Sequence, residues 1–380
     1  MSRRIPGTRR GRLAPAVVGA ALCLVLSACG LSVGGGAKDK AEEGPARGAG
    51  PALADVTPLA DVRDWEGEVT AHAQTPVQPV AQNPTPQLPV TVTDAQGTKV
   101  TISDTSRVLA LDVYGTLSRT IFELGLGDQL VGRDISSDFP EAAELPLVTQ
   151  NGHELNAEAI LALDPTVFIT DTSLGPWDAV LQVRDAGVPV VVVDSRRGLD
   201  NVDDQIHQVA DALGVPDAGD KLAERTQAQI DEVTEQIAAI APADKTQRLR
   251  TVFLYVRGQS GVYYMFGEDS GADSLINAVG GYDVADEIGW DGMKPLTDEG
   301  LVAAQPDLVL MMSGGLESAG DVEGLLERLP ALAETPAGQH RRFVTMEDSQ
   351  ILGFGPIAAS VLEALAVAIY APDQLTGDAA

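Results

Sequence analysis

Asp217-Ala-Gly-Asp-Lys-Leu-Ala-Glu-Arg-Thr-Gln-Ala-Gln-Ile-Asp-Glu-Val-Thr-Glu-Gln-Ile-Ala-Ala-Ile240 is the stretch that decides how this chain is organised. Leu222, Ile230, Val233, Ile237 and Ile240 recur at helical spacing. No Gly or Pro interrupts 220–241. Pro216 precedes the run and Pro242 stops it. The pattern predicts a single helix within 216–242, roughly 30 Å long at 1.5 Å per residue. It separates two regions of different rhythm.

On each side, short apolar runs alternate with helical patterns. Before the helix, strands are predicted at 108–112, 166–170 and 188–194, with helices at 116–124, 156–163, 176–186 and 201–213. A hairpin, Val90–Thr93 and Thr98–Ile102 around Asp94-Ala-Gln-Gly97, opens the region. After the helix, strands are predicted at 250–256, 262–266, 307–312 and 343–346, with helices at 273–279, 298–304, 322–329 and 356–370. Near-continuous apolar strands between helices indicate parallel sheets covered on both faces.

The two regions also resemble each other. Leu155-Asn-Ala-Glu-Ala-Ile-Leu-Ala-Leu-Asp-Pro-Thr-Val-Phe-Ile169 matches Leu296-Thr-Asp-Glu-Gly-Leu-Val-Ala-Ala-Gln-Pro-Asp-Leu-Val-Leu310, and Val113-Tyr-Gly115 matches Val256-Arg-Gly258 at nearly the same offset. The expected fold is therefore α/β: two Rossmann-like lobes, 88–215 and 243–372, joined by one long backbone helix, 216–242, with a ligand cleft between them. Ligands of such sheets bind beyond the carboxyl ends of the strands.

The ends of the chain read differently. Arg3, Arg4, Arg9, Arg10 and Arg12 precede an apolar run, and Leu26-Ser-Ala-Cys29-Gly30 follows it. Residues 1–28 read as a lipoprotein signal peptide, with Cys29 diacylated as the mature N-terminus. Two acyl chains give stable anchoring to the outer face of a cell membrane. Cleavage would remove Cys23 and five arginines, leaving no disulfide framework and a charge still more negative than −29. That charge disfavours nucleic acid or an anionic membrane surface as a partner. Residues 29–87, rich in Gly and then in Pro, read as a flexible tether. Residues 373–380 read as a tail.

With 4% aromatic residues, each Tyr and Trp merits inspection. His153 stands on a turn after Asn151-Gly152 and just before a helix. It is separated in sequence from His72, His207 and His340, so a multi-histidine zinc site is not indicated. Tyr255 and Arg257 lie two apart on a strand and share a face. A cation beside a phenol favours the phenolate, an oxygen suited to ferric iron. The plainer readings are a capping histidine and a strand end with a snorkelling arginine. One nitrogen and one oxygen are too few for a bare metal, but suffice if a macrocycle supplies four more ligands. Met293, Met311 and Met312 could pack against such a ring. Tyr263, Tyr264, Phe266 and Trp290 could wall it, and Lys294 could anchor it. No Gly-rich phosphate loop, Gly-x-Ser-x-Gly elbow or His-Glu-x-x-His is present, which weighs against an enzyme in the cleft.

Leu109-Ala-Leu-Asp-Val-Tyr-Gly-Thr-Leu-Ser-Arg-Thr120, Val148-Thr-Gln-Asn-Gly-His-Glu-Leu-Asn-Ala-Glu-Ala-Ile-Leu161 and Tyr255-Val-Arg257, together with the lipobox, resemble actinobacterial hemin-binding lipoproteins of the HmuT type. These belong to the substrate-binding proteins of ABC importers for heme, ferric siderophores and cobalamin. The resemblance covers about 88–370. It implies a non-enzymatic protein that captures ferric heme at the cell surface and delivers it to a permease and ATPase complex. It makes His153 and Tyr255 the axial ligands of heme iron, with Arg257 hydrogen-bonded to the tyrosine. Met293 or Met312, Tyr263 and Lys294 become pocket candidates. Other heme-binding surface proteins are further candidate partners, and Glu141 and Glu144 are candidates for docking on the permease. A siderophore or cobalamin remains the alternative ligand.

Overall fold

The computed structural model describes residues 50–375. The signal segment, Cys29 and residues 376–380 lie outside them. The first surprise is at the start. The segment 50–87 is not a tether. Leu53, Val62, Trp65, Val69, Ala71 and Ala73 are buried, and β1 (Glu68–Thr70) pairs in parallel with Phe343–Thr345. Arg63 donates to the carbonyls of Gln247 and Arg248 at 2.7 and 2.8 Å. Arg342 donates to those of Trp65 and Arg63 at 2.8 and 2.6 Å. Further on, the Val80 N–H bonds to Glu123, Arg119 reaches the Pro76 carbonyl, and Gln87 N–H bonds to Gly214. Extended Pro-rich chain makes no hydrogen bonds within itself. Here side chains and backbone of both lobes supply them, which composition cannot reveal. The segment thus belongs to the second lobe at β1 and to the first lobe by residue 80.

The first lobe begins with the hairpin β2 (Val90–Thr93) and β3 (Lys99–Ile102), closed by Asp94, which accepts from Gln96 and Thr98 N–H. β4 (Val108–Leu111) leads into α1 (Thr116–Glu123). A two-stranded ribbon, β5 (Thr149–Gln150) and β6 (Glu154–Leu155), precedes α2 (Ala157–Ala162). Then follow β7 (Val167–Thr170), α3 (Trp177–Asp185), β8 (Val190–Val192) and α4 (Val202–Ala212). β4, β7 and β8 form a parallel sheet, every residue of which is buried. Alternate residues face opposite sides. Val108, Ala110, Val167 and Ile169 join the main core, and Leu109, Leu111 and Phe168 pack under α2 and α3.

α5 (Pro216–Ile240) is the connecting helix, with Pro at its first turn. At 1.5 Å per residue it spans about 37 Å. Leu222, Ile230, Val233 and Ile237 form its buried stripe, against α4 and the last helix of the chain.

The second lobe is built on β9 (Arg250–Arg257), which turns back into β10 (Val262–Phe266). α6 (Ala272–Ala278), β11 (Tyr282–Asp283), α7 (Val284–Glu287), β12 (Met293–Pro295) and α8 (Asp298–Ala304) follow. β13 (Leu308–Met312) enters α9 (Ser313–Ala319), then α10 (Asp321–Arg328), α11 (Pro330–Ala333) and α12 (Pro336–His340). β14 (Phe343–Met346) and α13 (Ala358–Tyr370) close the lobe. Its seven-stranded sheet runs β1-β14-β13-β9-β10-β12, with β11 beside the start of β9. β1, β14, β13 and β9 are parallel, whereas β10 and β12 are antiparallel additions. The internal repeat is visible as α2–β7 against α8–β13. The lobes diverge where β10, β12 and β1 enlarge the second sheet. The expected tail from 373 also packs at its start: Gln374 donates to the Thr57 carbonyl, and Leu375 packs on the core.

Candidate functional site

The candidate residues sit on the β5–β6 ribbon of the first lobe and on β9, β10, β12 and β13 of the second. His153 occupies the tip of the β5–β6 ribbon. Asn151 and Gly152, with φ of 47° and 90°, make the tight reversal that the Asn-Gly pair permits. The ribbon is held at its base. Leu155 is buried, its N–H bonds to the Gly175 carbonyl at 2.6 Å, and Asn156 caps α2 while donating to Gln150. The imidazole itself is exposed beside a recess lined by Gln150, Glu154, Ser173 and Pro176. Its pKa is lowered, first by the loss of hydration among these walls, then by Arg257, with Asp348 opposing. Two groups of the second lobe therefore act electrostatically on a residue of the first. A lowered pKa keeps the imidazole neutral, and so able to donate a lone pair, further into the acid range.

Tyr255 is half-buried on β9, the centre of the larger sheet. Its ring stacks on Phe266 at 6.1 Å and 18°, and Phe266 lies 5.1 Å from Phe253. The Arg257 guanidinium stands over the tyrosine ring, 4.5 Å from its centroid. The expectation that Arg257 stands beside Tyr255 is met. The form of contact differs from the hydrogen bond implied by the resemblance. Arg257 Nη2 donates to Asp348 Oδ2 at 3.0 Å and Nη1 to the Val256 carbonyl at 2.9 Å, so the cation rests on the ring's negative face.

Strand register sorts the other candidates. Directly paired residues share a face. Tyr264 pairs with Tyr255, and Met293 pairs with Phe266, so both lie on the Tyr255 face. Met312 comes one step beyond the Met311–Leu254 pair and belongs to the same face. The two methionines differ in access: Met312 is 7% exposed and Met293 56%. Tyr263 and Lys294 are corrections. Tyr263 pairs with Val256 and packs into the core on the opposite face. Lys294 pairs with the buried Met265, stands 5.9 Å from the Trp290 ring and forms an ion pair with Asp291. The two-residue period of a strand excludes both from the face that carries Tyr255. Glu144 is exposed, and Glu141 accepts the Val77 N–H.

The lobes also meet around a cavity of about 180 Å³ lined by Tyr114, Thr116, Asp138 and Phe139 on one side and Glu347, Ser349, Gln350 and Phe354 on the other. Burial raises the Asp138 pKa, with Glu347 adding to the effect and a hydrogen bond from Ser349 opposing it.

Beneath the first lobe's loops is a buried charge cluster that the sequence motifs did not reveal. Arg197 bonds to Asp112 at 3.1 Å and to Asp171 at 2.6 Å, and stacks on Tyr114 at 5.1 Å. Asp134 accepts from Asp112 N–H and from Ser137. Burial, then the neighbouring Asp112, pushes the Asp134 carboxyl up to about 7. Burial, then Asp112, also raises Asp171, against Arg197. A signal existed: the first lobe's strands run directly into Asp at 112, 171 and, one residue on, 194. Asp348 was missed as a site residue because its relation to Tyr255 runs through Arg257, 91 residues away in the chain.

Among the described residues no three His, Cys, Asp or Glu side chains converge as a metal site. What the cleft offers is one imidazole from one lobe and one phenol from the other, beside a face bearing Phe266, Tyr264 and Met293.

Comparison with known proteins agrees with this architecture. The structure of the heme-binding protein HmuT superposes with a TM-score of 0.78 at 41% identity, covering 82% of this chain and all of that one. Structures of the same protein with a histidine, a tyrosine or an arginine replaced by alanine match equally well. The periplasmic heme-binding protein BhuT, in complex with two hemes, matches at 33% identity and a TM-score of 0.61, over 71% of this chain and 98% of that one. An uncharacterised ABC transporter substrate-binding lipoprotein of Bacillus subtilis (strain 168), YvrC, is 26% identical over 77% of this chain and 89% of its own length. Residues 113–349, from the loop after β4 to the loop after β14, match the periplasmic binding protein family, and the chain belongs to that family.

Proposed function

We propose that this protein captures ferric heme between its lobes and hands it to an ABC importer. His153 and Tyr255 are the axial ligands, Arg257 conditions the tyrosine, and Tyr264, Phe266 and Met293 present the face against which the macrocycle packs. The single observation that carries this reading is the placement of His153 on one lobe and the stacked Tyr255–Arg257 pair on the other, with Arg257 close enough to lower the His153 pKa. Two ligands of this kind suit an ion that already has four. The likeness to HmuT supports it, as does the spacing of that protein's substituted tyrosine and arginine, two positions apart like Tyr255 and Arg257. Anchoring at Cys29 through a diacyl group would hold the protein at the outer face of the membrane, and the segment 50–87 would be part of the folded body rather than free reach. The role is that of a binding component, not an enzyme.

A hemin titration followed by absorbance tests the proposal. The expected result is a saturable Soret change at low-micromolar protein or below, with cobalamin and a ferric siderophore producing no comparable saturation. Saturable binding of either of those in place of hemin would overturn the ligand assignment.

A further inference from the structure

Arg257 is the last residue of β9. Its backbone leaves the strand there, ahead of Gly258, and its side chain is 32% exposed. A long cationic side chain at such a position has many solvated conformations. Its position over Tyr255 therefore needs a cause. The cation–ring contact alone is worth little where water reaches it.

The cause lies 91 residues away. Asp348, in the loop after β14, is fixed by two partners. Its Oδ1 accepts the Gly314 N–H at 3.1 Å, at the first turn of α9, and its Oδ2 accepts Arg257 Nη2 at 3.0 Å. One carboxylate in the loop after β14 thus joins the end of β9 to the start of α9. The two glycines after Ser313 leave room for this close approach of the helix start. A Cβ on Gly314 would stand 3.1 Å from the Asp348 carboxylate, and one on Gly315 would stand 3.0 Å from the Val256 carbonyl that Arg257 also bonds. The arrangement holds the guanidinium from both ends of its fork.

We propose that Asp348 is the positioning residue that clamps Arg257 onto the face of Tyr255 before any ligand arrives. The proposal rests on the heme reading above. The clamp lets heme meet a tyrosine whose cation is already ordered, so no arginine rotamers are lost on binding. It also occupies the guanidinium, which would otherwise be free to pair with a propionate of the ligand in the same cleft.

The test is a double-mutant cycle on hemin affinity, with Asp348→Asn, Arg257→Ala and the pair. Loss of one pre-ordered side chain weakens binding by roughly three- to tenfold. Asp348→Asn is expected to lower affinity by that factor in the wild-type background and to change it by less than about twofold in the Arg257→Ala background, because an interaction made only through Arg257 is already gone. An equal loss in both backgrounds, or no loss in the first, overturns the proposal. A second measurement needs no ligand. The guanidinium resonances of Arg257 in the ligand-free protein should be restrained in the wild type and averaged in Asp348→Asn. Equal restraint in both overturns the clamp. Failure of the wild type to bind hemin would overturn the heme reading, and the ligand-free measurement would then still decide the clamp.

Discussion

The two lobes share a three-stranded parallel core and mount their candidate ligands in opposite ways. Tyr255 sits on the middle strand of a seven-stranded sheet, stacked on Phe266 and covered by a clamped arginine. His153 sits at the tip of a two-stranded ribbon, with an exposed ring and a reversal formed by Asn151 and Gly152. Side chains on a sheet with neighbours on both edges are held to tenths of an ångström, whereas ribbon tips move at lower cost. On the proposed ligand assignment, the second lobe defines where the iron sits and the first adapts to it. The extra strands that stiffen the second lobe include β1, contributed by the N-terminal segment.

This contrast is most open to attack at β1. If β1 and its flanks are integral to the second lobe, Trp65→Ala should destabilise the protein by about 3–5 kcal/mol in denaturant unfolding, as for other buried aromatic truncations. A change under about 0.5 kcal/mol would return residues 50–87 to a tether. Next, removing the fixed ligand should cost more than removing the adaptable one. Tyr255→Phe is expected to weaken hemin binding by about 2–4 kcal/mol and His153→Ala by about 1–2 kcal/mol. Equal losses would abolish the distinction between the two mounts.

A smaller effect concerns what lies beneath the first lobe's loops. Asp134 releases its proton near 3.8 in the unfolded chain and at about 7 when folded. Between those values the folded state binds more protons, so this group's contribution is fully present below about 3.8 and is lost as pH rises through about 7. Unfolding midpoints measured from pH 4 to pH 8 should show Asp134→Asn gaining stability relative to wild type with rising pH. A constant difference would place the proton elsewhere in the Asp112–Asp134–Asp171 cluster. The least effect separates the two tyrosines of β10. Tyr264→Ala should lower hemin affinity by about 1 kcal/mol, while Tyr263→Ala, on the far face, should leave it within about 0.5 kcal/mol. The reverse order would mean that the two faces of β10 are assigned the wrong way round.

Much of the frame was legible in the residues. Predicted strands 262–266 and 343–346 and helix 298–304 coincide with β10, β14 and α8, and most other boundaries fall within two residues. The reason is that each of these elements satisfies its own periodicity and ends at local signals. α9 escaped notice because Ser313-Gly-Gly reads as a loop. At its start the Gly314 N–H meets the Asp348 carboxylate, a contact between distant segments. The segment 50–87 escaped for a similar reason: its hydrogen bonds join Arg63, Arg119 and Arg342 to partners in distant parts of the chain.

The order of residues alone indicated two α/β lobes, the long helix between them, the repeat that marks their common core, and three candidates for the site: His153, Tyr255 and Arg257. These are local or periodic properties, readable along one dimension. The folded chain was needed to show which face of β10 and β12 is shared with Tyr255, and hence that Tyr264 and Met293 lie on that face while Tyr263 and Lys294 lie on the other. It was needed too for the placement of Arg257 on the ring rather than at the hydroxyl, and for bringing Asp348 to hold it. Strand register and loop-to-loop contact depend on residues far apart in the chain, and no spacing along the chain encodes them.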